Sequence, residues 1–210
     1  MPNLAVEFNL IEDIAGTPGG FLNQNNPLNI GDRFFVQVLM RDIHSNPIGL
    51  TGSAINLNFE ANKIQNIDIP FNPVDDNSPL VTANFTLFRG GTLNNINGTI
   101  TDLGGASFPD AGLGSILGLN QLLEQFSLMH FQVIGKGSSN LILNVDLSQT
   151  IFADGTLGAN DPTNPSQFIQ IVPIVPTNNP VTIPEPSLNI GLFILLGVIA
   201  VLKKQYAKRV

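Results

Sequence analysis

The chain has 210 residues with no cysteine, no tryptophan and a net charge of −7, which excludes disulfide staples and thiol chemistry and leaves a fold that must rely on its core. Four of the nine basic residues lie beyond position 202, so residues 1–202 set five basic against sixteen acidic groups, a net −11 that argues against a nucleic-acid partner. With 25 Asn against 5 Lys the composition favours turns, because an Asn side chain bonds local backbone and tolerates left-handed conformations.

From the N-terminus, Ala5 to Ile11 alternates Val6, Phe8 and Leu10 against Glu7 and Asn9, the two-residue period of a strand with one wet face. A turn-rich stretch, Asn25 to Asp32, follows. Alternation resumes in Arg33 to Asp42 through Phe34, Val36, Val38 and Met40, and again in Ser53 to Phe59 through Ile55, Leu57 and Phe59. Ile64 to Ile69, Leu80 to Phe88, Ile96 to Leu103, Phe126 to Gly135, Asn140 to Ser148 and Phe168 to Val172 complete the predicted strands. Only Gly114 to Gln125 reads as a brief helix. About nine short strands separated by turn signals predict an all-β fold, an antiparallel β-sandwich or jelly roll formed as one domain by residues 1–172. The fourteen phenylalanines are assigned to its core.

Catalytic constellations are sparse. His44, beside Asn46-Pro47, reads as a turn residue, and His130, between Met129 and Phe131, as a half-exposed strand residue; without cysteine neither has zinc-ligand spacing. No Gly-x-Ser-x-Gly elbow or phosphate loop occurs, and Gly104-Gly105 and Gly112-x-Gly114 read as loop glycines. Neither enzymatic activity nor a resident cofactor is expected. Calcium is the one cation with candidate ligands, at Asp75-Asp76-Asn77 or at Asp154 with Asp161 in a Gly-rich loop, since hard cations take oxygen donors; the competing reading is solvated turn residues. A single tyrosine and no tryptophan leave no broad aromatic platform for sugars.

Towards the C-terminus the composition changes. Five prolines between Ile171 and Pro186 predict an extended polyproline spacer, with residues 173–182 as the linker proper. Residues 183–210 then fall into three parts: the rigid box Pro184, Glu185, Pro186; an uncharged run Leu188 to Leu202; and the cations Lys203, Lys204, Lys208 and Arg209. The fifteen-residue run would reach roughly 22 Å as a helix, short of a hydrocarbon core of about 30 Å. Its eleven Leu, Ile, Val and Phe residues, Leu188, Leu192, Phe193, Leu196, Ile199 and Leu202 among them, nonetheless contribute roughly −3 to −7 kcal/mol to insertion, and the flanking lysines can snorkel. The prediction is a single transmembrane helix whose basic end stays cytoplasmic, with the domain outside.

This order of parts resembles the PEP-CTERM sorting signal of bacteria. The resemblance implies that an exosortase-type membrane protease recognises Pro184, Glu185 and Pro186 and that the outer portion stays anchored or is released to the cell surface or extracellular matrix. It also implies a secretory leader, which Met1 to Leu10, with Glu7 inside it, does not resemble, so a start upstream of Met1 is expected. Within the domain, Gly31-Asp32-Arg33-Phe34-Phe35-Val36-Gln37-Val38, then Gly49-Leu50-Thr51-Gly52 and Ile55-Asn56-Leu57-Asn58-Phe59-Glu60, resemble the opening strands of cohesin-like domains. Phe126 to Val133 followed by Gly135 and Asn140-Leu141-Ile142-Leu143 resemble that family's late hairpin. What this implies is a nine-stranded jelly roll that binds protein partners or accompanies carbohydrate-binding modules. The functional expectation is an exported, non-enzymatic structural or adhesive surface protein; the alternative is a cohesin-like module that captures a specific protein or polysaccharide.

Overall fold

A computed structural model describes residues 3–23, 27–161 and 168–174, the last segment as backbone alone. Eleven strands lie among them: β1 (Leu4–Ile14), β2 (Thr17–Phe21), β3 (Arg33–Asp42), β4 (Leu50–Asn58), β5 (Ile64–Asn66), β6 (Leu87–Asn94), β7 (Thr99–Ala106), β8 (Glu124–Val133), β9 (Ser139–Val145), β10 (Ile151–Phe152) and β11 (Phe168–Ile174). They form two antiparallel sheets. The first has the order β2-β1-β3-β8-β5; the second has the order β11-β9-β4-β7-β6, with β10 paired to the start of β4.

Period two explains how the sheets close on each other. β1 and β3 stay in register from Leu4 opposite Asp42 to Glu12 opposite Phe34, which puts Val6, Phe8 and Leu10 on one face with Met40, Val38 and Val36. Phe126, Met129, Phe131 and Val133 of β8 extend that face. The second sheet meets it with Leu50, Ile55 and Leu57 of β4, Ile100 and Leu103 of β7, and Leu141, Leu143 and Val145 of β9, all in one buried cluster. Phe131 stacks on Phe34 at 5.8 Å and meets Phe59 edge-on at 5.3 Å, so aromatic rings fill the space between the sheets. On the other side of the first sheet Ile11, Phe35 and Leu128 make a small second cluster. His130 lies flat on Phe35 at 4.1 Å with Nε2 3.0 Å from Asp13 Oδ2, a strand residue as expected.

Three predicted elements need correction. Gly114 to Gln125 is not an α-helix: residues 114–123 are loop apart from a single 3-10 turn, Leu119–Gln121, because Gly114 and Gly118 are left-handed and Leu117 exchanges both backbone bonds with Leu50, and Glu124 and Gln125 already open β8. Residues 80–86 are turns rather than strand; Leu80, Val81 and Phe85 are buried without strand geometry, and β6 begins only at Leu87. Ile96 sits at the tip of the β6–β7 hairpin, so β7 starts at Thr99 instead of residue 96. The short strands β2 and β10 were not anticipated, the first lacking any alternation in Thr17-Pro18-Gly19-Gly20-Phe21 and the second having only two residues.

The hairpin before β7 depends on one glycine. Gly98 has φ of +68°, and a Cβ there would stand 1.9 Å from the Phe59 carbonyl oxygen, while its own carbonyl accepts the Phe59 N–H at 2.8 Å. Gly98→Ala should therefore cost about 1–3 kcal/mol, combining left-handed strain with a forced shift of the hairpin. The midpoint of urea unfolding reads this directly, and an unchanged midpoint would contradict the placement.

Candidate functional site

Two runs of small residues meet inside the second sheet. Gly52, Ser53 and Ala54 of β4 lie opposite Ala106, Gly105 and Gly104 of β7. A Cβ on Gly104 would stand 2.3 Å from the Ser53 carbonyl oxygen and 2.7 Å from Ala54 Cα, so the strands approach at a distance that only glycine permits. With so little side chain above it, the outer face of the sheet sinks into a groove of about 300 Å³. Phe88 and Asp102 border it from the β6 and β7 side; Ser148, Gln149 and Ile151 border it from the β9–β10 turn and β10.

Bulges place the two residues on the β6 and β7 side. Between the pairs Leu87–Ala106 and Gly90–Gly104, β6 spends one residue more than β7; between Gly90–Gly104 and Thr92–Thr101, β7 spends one more than β6. Phe88 and Asp102 occupy these irregularities, each with φ of +52°. A left-handed non-glycine residue costs on the order of 1 kcal/mol, so two of them bordering one groove mark a feature held in place by its surroundings. Phe88 is 90% exposed, the reverse of its expected place in the core. The Asp102 N–H, lost to the ladder, donates to Asn56 Oδ1 at 2.9 Å.

The polar lining centres on Asp102 and Gln149, with Asp146 behind them. Gln149 Nε2 donates to Asp146 Oδ2 at 2.9 Å and reaches Asp102 Oδ1 at 3.4 Å. Burial alone would raise the Asp146 pKa, but hydrogen bonds from Ser148 and Gln149 outweigh it and hold the carboxyl below its usual range. Ser53 Oγ lies 3.1 Å from Thr150 Oγ1, which donates to the Asp146 carbonyl at 2.9 Å and so ties the turn to β4. No lysine or arginine borders the groove among the described residues. Arg89, next to Phe88, points away from it, its guanidinium on Asp76 at 3.1 Å and on the Val81 and Ser78 carbonyls.

A second polar cluster braces the loop that leads into β4. Fully buried Asp42 accepts the backbone N–H groups of His44, Ile48 and Gly49 at 2.8, 2.7 and 2.9 Å, and His44 Nδ1 meets the same oxygen, Oδ1, that takes the His44 N–H. His44 Nε2 lies 3.0 Å from Asp161 Oδ2, which also accepts from Asn3 Nδ2 at 2.9 Å. No local motif announces this cluster, since Asp161 lies 117 residues from His44 and 158 from Asn3.

The carboxylates considered for calcium are separately engaged. Asp75 Oδ1 accepts the Asn77 N–H, Asp76 faces Arg89, Asp154 Oδ1 accepts the Thr156 N–H, and Asp161 belongs to the His44 cluster. Among the described residues no group of three or more His, Cys, Asp or Glu side chains is arranged to hold a metal ion. Gly104 and Gly105, read from sequence as loop glycines, lie inside β7. Pro184, Glu185, Pro186, the run Leu188 to Leu202 and the cations from Lys203 to Arg209 lie outside the described residues. No helix among the described residues is long and apolar enough to cross a membrane.

No protein-family model and no curated protein matches the chain. Solved structures do. A type II cohesin domain from the cellulosome of Acetivibrio cellulolyticus is similar over 82% of this chain and 95% of its own length, with a TM-score of 0.52 and 11% identity. The described residues therefore form a cohesin-like β-sandwich. A type II cohesin dyad from the adaptor scaffoldin of the same organism covers 71% of this chain and 45% of its own at a TM-score of 0.47 and 11% identity. The sixth cohesin of its scaffoldin B covers 83% and 93% at a TM-score of 0.43 and 16% identity.

Proposed function

We propose that this chain is a non-catalytic protein-binding module that takes its partner on the outer face of the second sheet, and that its C-terminal signal places it outside the cell. One observation carries the docking reading: a glycine-floored groove bordered by a 90% exposed phenylalanine on a strained bulge. A rigid aromatic at the rim of a groove is the kind of residue that anchors an interface. A sandwich scaffold fixes the groove without needing the partner to order it, which limits the entropy lost on binding. The cohesin-like fold agrees with a module of this kind, and the cohesin-like residue pattern of β3, β4, β8 and β9 leads to the same class.

Ala106 borders the groove, so Ala106→Trp fills it with the protein's own side chain. Full-length wild type and this variant, used in parallel as bait on the secreted and surface fractions of the source cells, should differ. A protein retained by wild type and lost with Ala106→Trp supports docking at this face, and retention by both refutes it.

The export part of the reading rests on Pro184, Glu185, Pro186, the apolar run and its basic end. Protein expressed from its native gene in the source cells should fractionate with the envelope or the extracellular material, while the form lacking residues 183–210 should lose that association. Equal distribution of both forms would overturn the sorting role. Polysaccharide contact is not favoured, because the groove offers one phenylalanine rather than a platform of stacked rings.

A further inference from the structure

We propose that the groove is built to receive an arginine side chain from the partner protein, its stem against Ile151 and its guanidinium on Asp102 and against the ring of Phe88. This rests on the docking reading above and deepens it by naming the chemistry of the group that enters.

Charge is the first argument. Asp102 and Asp146 both face the single amide of Gln149, at 3.4 and 2.9 Å, and no cation among the described residues borders the groove to balance them. Asp146 is satisfied within its turn by Ser148 and Gln149. Asp102 has only the long contact with Gln149, so its carboxylate has acceptor capacity to offer. The domain's nearest arginine in sequence, Arg89, is committed to Asp76 and to two carbonyls on the far side of β6. Asp102 is exposed at the border of the groove, so its carboxylate is open to a cation brought by a partner.

Shape is the second. Beside the carboxylate stand the exposed ring of Phe88 and the side chain of Ile151, over a floor of glycine and alanine. A volume of about 300 Å³ suits one long side chain rather than a helix or a sugar chain laid in whole. Arginine matches both halves of the lining: its planar guanidinium forks onto a carboxylate and lies flat on an aromatic face, and its three methylenes cover apolar walls. Lysine offers a point charge without the planar stack. The two left-handed bulges give the reason that Phe88 and Asp102 both reach the groove: a regular ladder would place neither residue as it stands.

The test uses isotopically labelled full-length protein and three blocked pentapeptides, Ala-Ala-X-Ala-Ala, with X as arginine, lysine or neutral citrulline, followed by amide shifts in NMR. The arginine peptide should perturb the amides of Phe88, Asp102, Gly104 and Gly105, the lysine peptide should bind several-fold more weakly and citrulline should leave the spectrum unchanged. Asp102→Asn should cut the arginine peptide's affinity by about tenfold, as should raising the salt, with the fold intact by circular dichroism. Equal response to arginine and citrulline, shifts that map outside the groove, or indifference to Asp102→Asn overturns the proposal. Loss of arginine selectivity alongside partner retention that is still blocked by Ala106→Trp would sink this inference alone; retention untouched by Ala106→Trp would sink the docking reading itself.

Discussion

Asp42→Ala should lose about 3–5 kcal/mol of folding stability, the largest single-residue effect expected outside the apolar core. The carboxylate is fully buried and is the acceptor for three backbone N–H groups in the loop from His44 to Gly49, with the His44 ring against it. Removing it leaves those donors without a partner in a space closed to water, and each unsatisfied donor costs on the order of 1–3 kcal/mol. Asp42→Asn keeps one acceptor oxygen and should lose less. Urea titrations of the three proteins give the order directly, and an alanine variant within about 1 kcal/mol of wild type would contradict the bracing role.

The same residue predicts a pH dependence. Burial would raise the Asp42 pKa, but the hydrogen bonds from His44, Gly49 and Ile48 outweigh it and hold the carboxyl below its ordinary value. A folded-state pKa below the unfolded one contributes stability that is present above about pH 4 and is lost as pH falls through the folded value. Asp146 is lowered for a similar reason and adds to this acid loss. Asp68 works the other way, since burial raises its pKa and its contribution falls as pH rises through the raised value. Stability measured from pH 7 down to pH 3 should drop for wild type and drop less for Asp42→Asn. Parallel curves for the two proteins would contradict the assignment.

How much of this was legible in the sequence follows from periodicity. β1, β3 and β9 each alternate over seven residues, and β4 and β8 over their last four and five, so their faces and much of their extent could be read. β6 could not, because Gly90, Gly91 and the Phe88 bulge break the alternation, and the apolar run before it packs through turns. For the same reason Phe88 looked like a core residue: its exposure is decided by one extra residue in a strand, a long-range pairing event that period two cannot report. The groove itself had a visible trace in the small-residue runs Gly52-Ser53-Ala54 and Gly104-Gly105-Ala106, but only their pairing turns two loops' worth of glycine into a floor. Asp42 and His44 are near neighbours, but Asp161 joins them across 117 residues, a long-range contact that no local motif reports.

Blocking the groove should weaken binding of the captured partner by about 100-fold, an effect of the size seen when a central anchor site of an interface is lost. Ala106 is half-buried, opposite Gly52 and beside Ile151, so a tryptophan there projects into the space the partner must enter. Ser148, exposed on the opposite border of the groove, supplies a second position for the same steric block should the first variant fold poorly. A change to the opposite sheet makes the control: Glu7→Gln alters an exposed residue of β1 and should leave affinity within about twofold.

The most direct measurement is the dissociation constant of the purified partner for full-length wild type, Ala106→Trp, Ser148→Trp and Glu7→Gln, each with its melting curve. A docking module of the kind proposed gives normal melting, near-normal affinity for Glu7→Gln and a collapse of affinity for the two tryptophan variants. Undiminished affinity in both folded tryptophan variants would place the partner elsewhere and contradict the assignment of this groove.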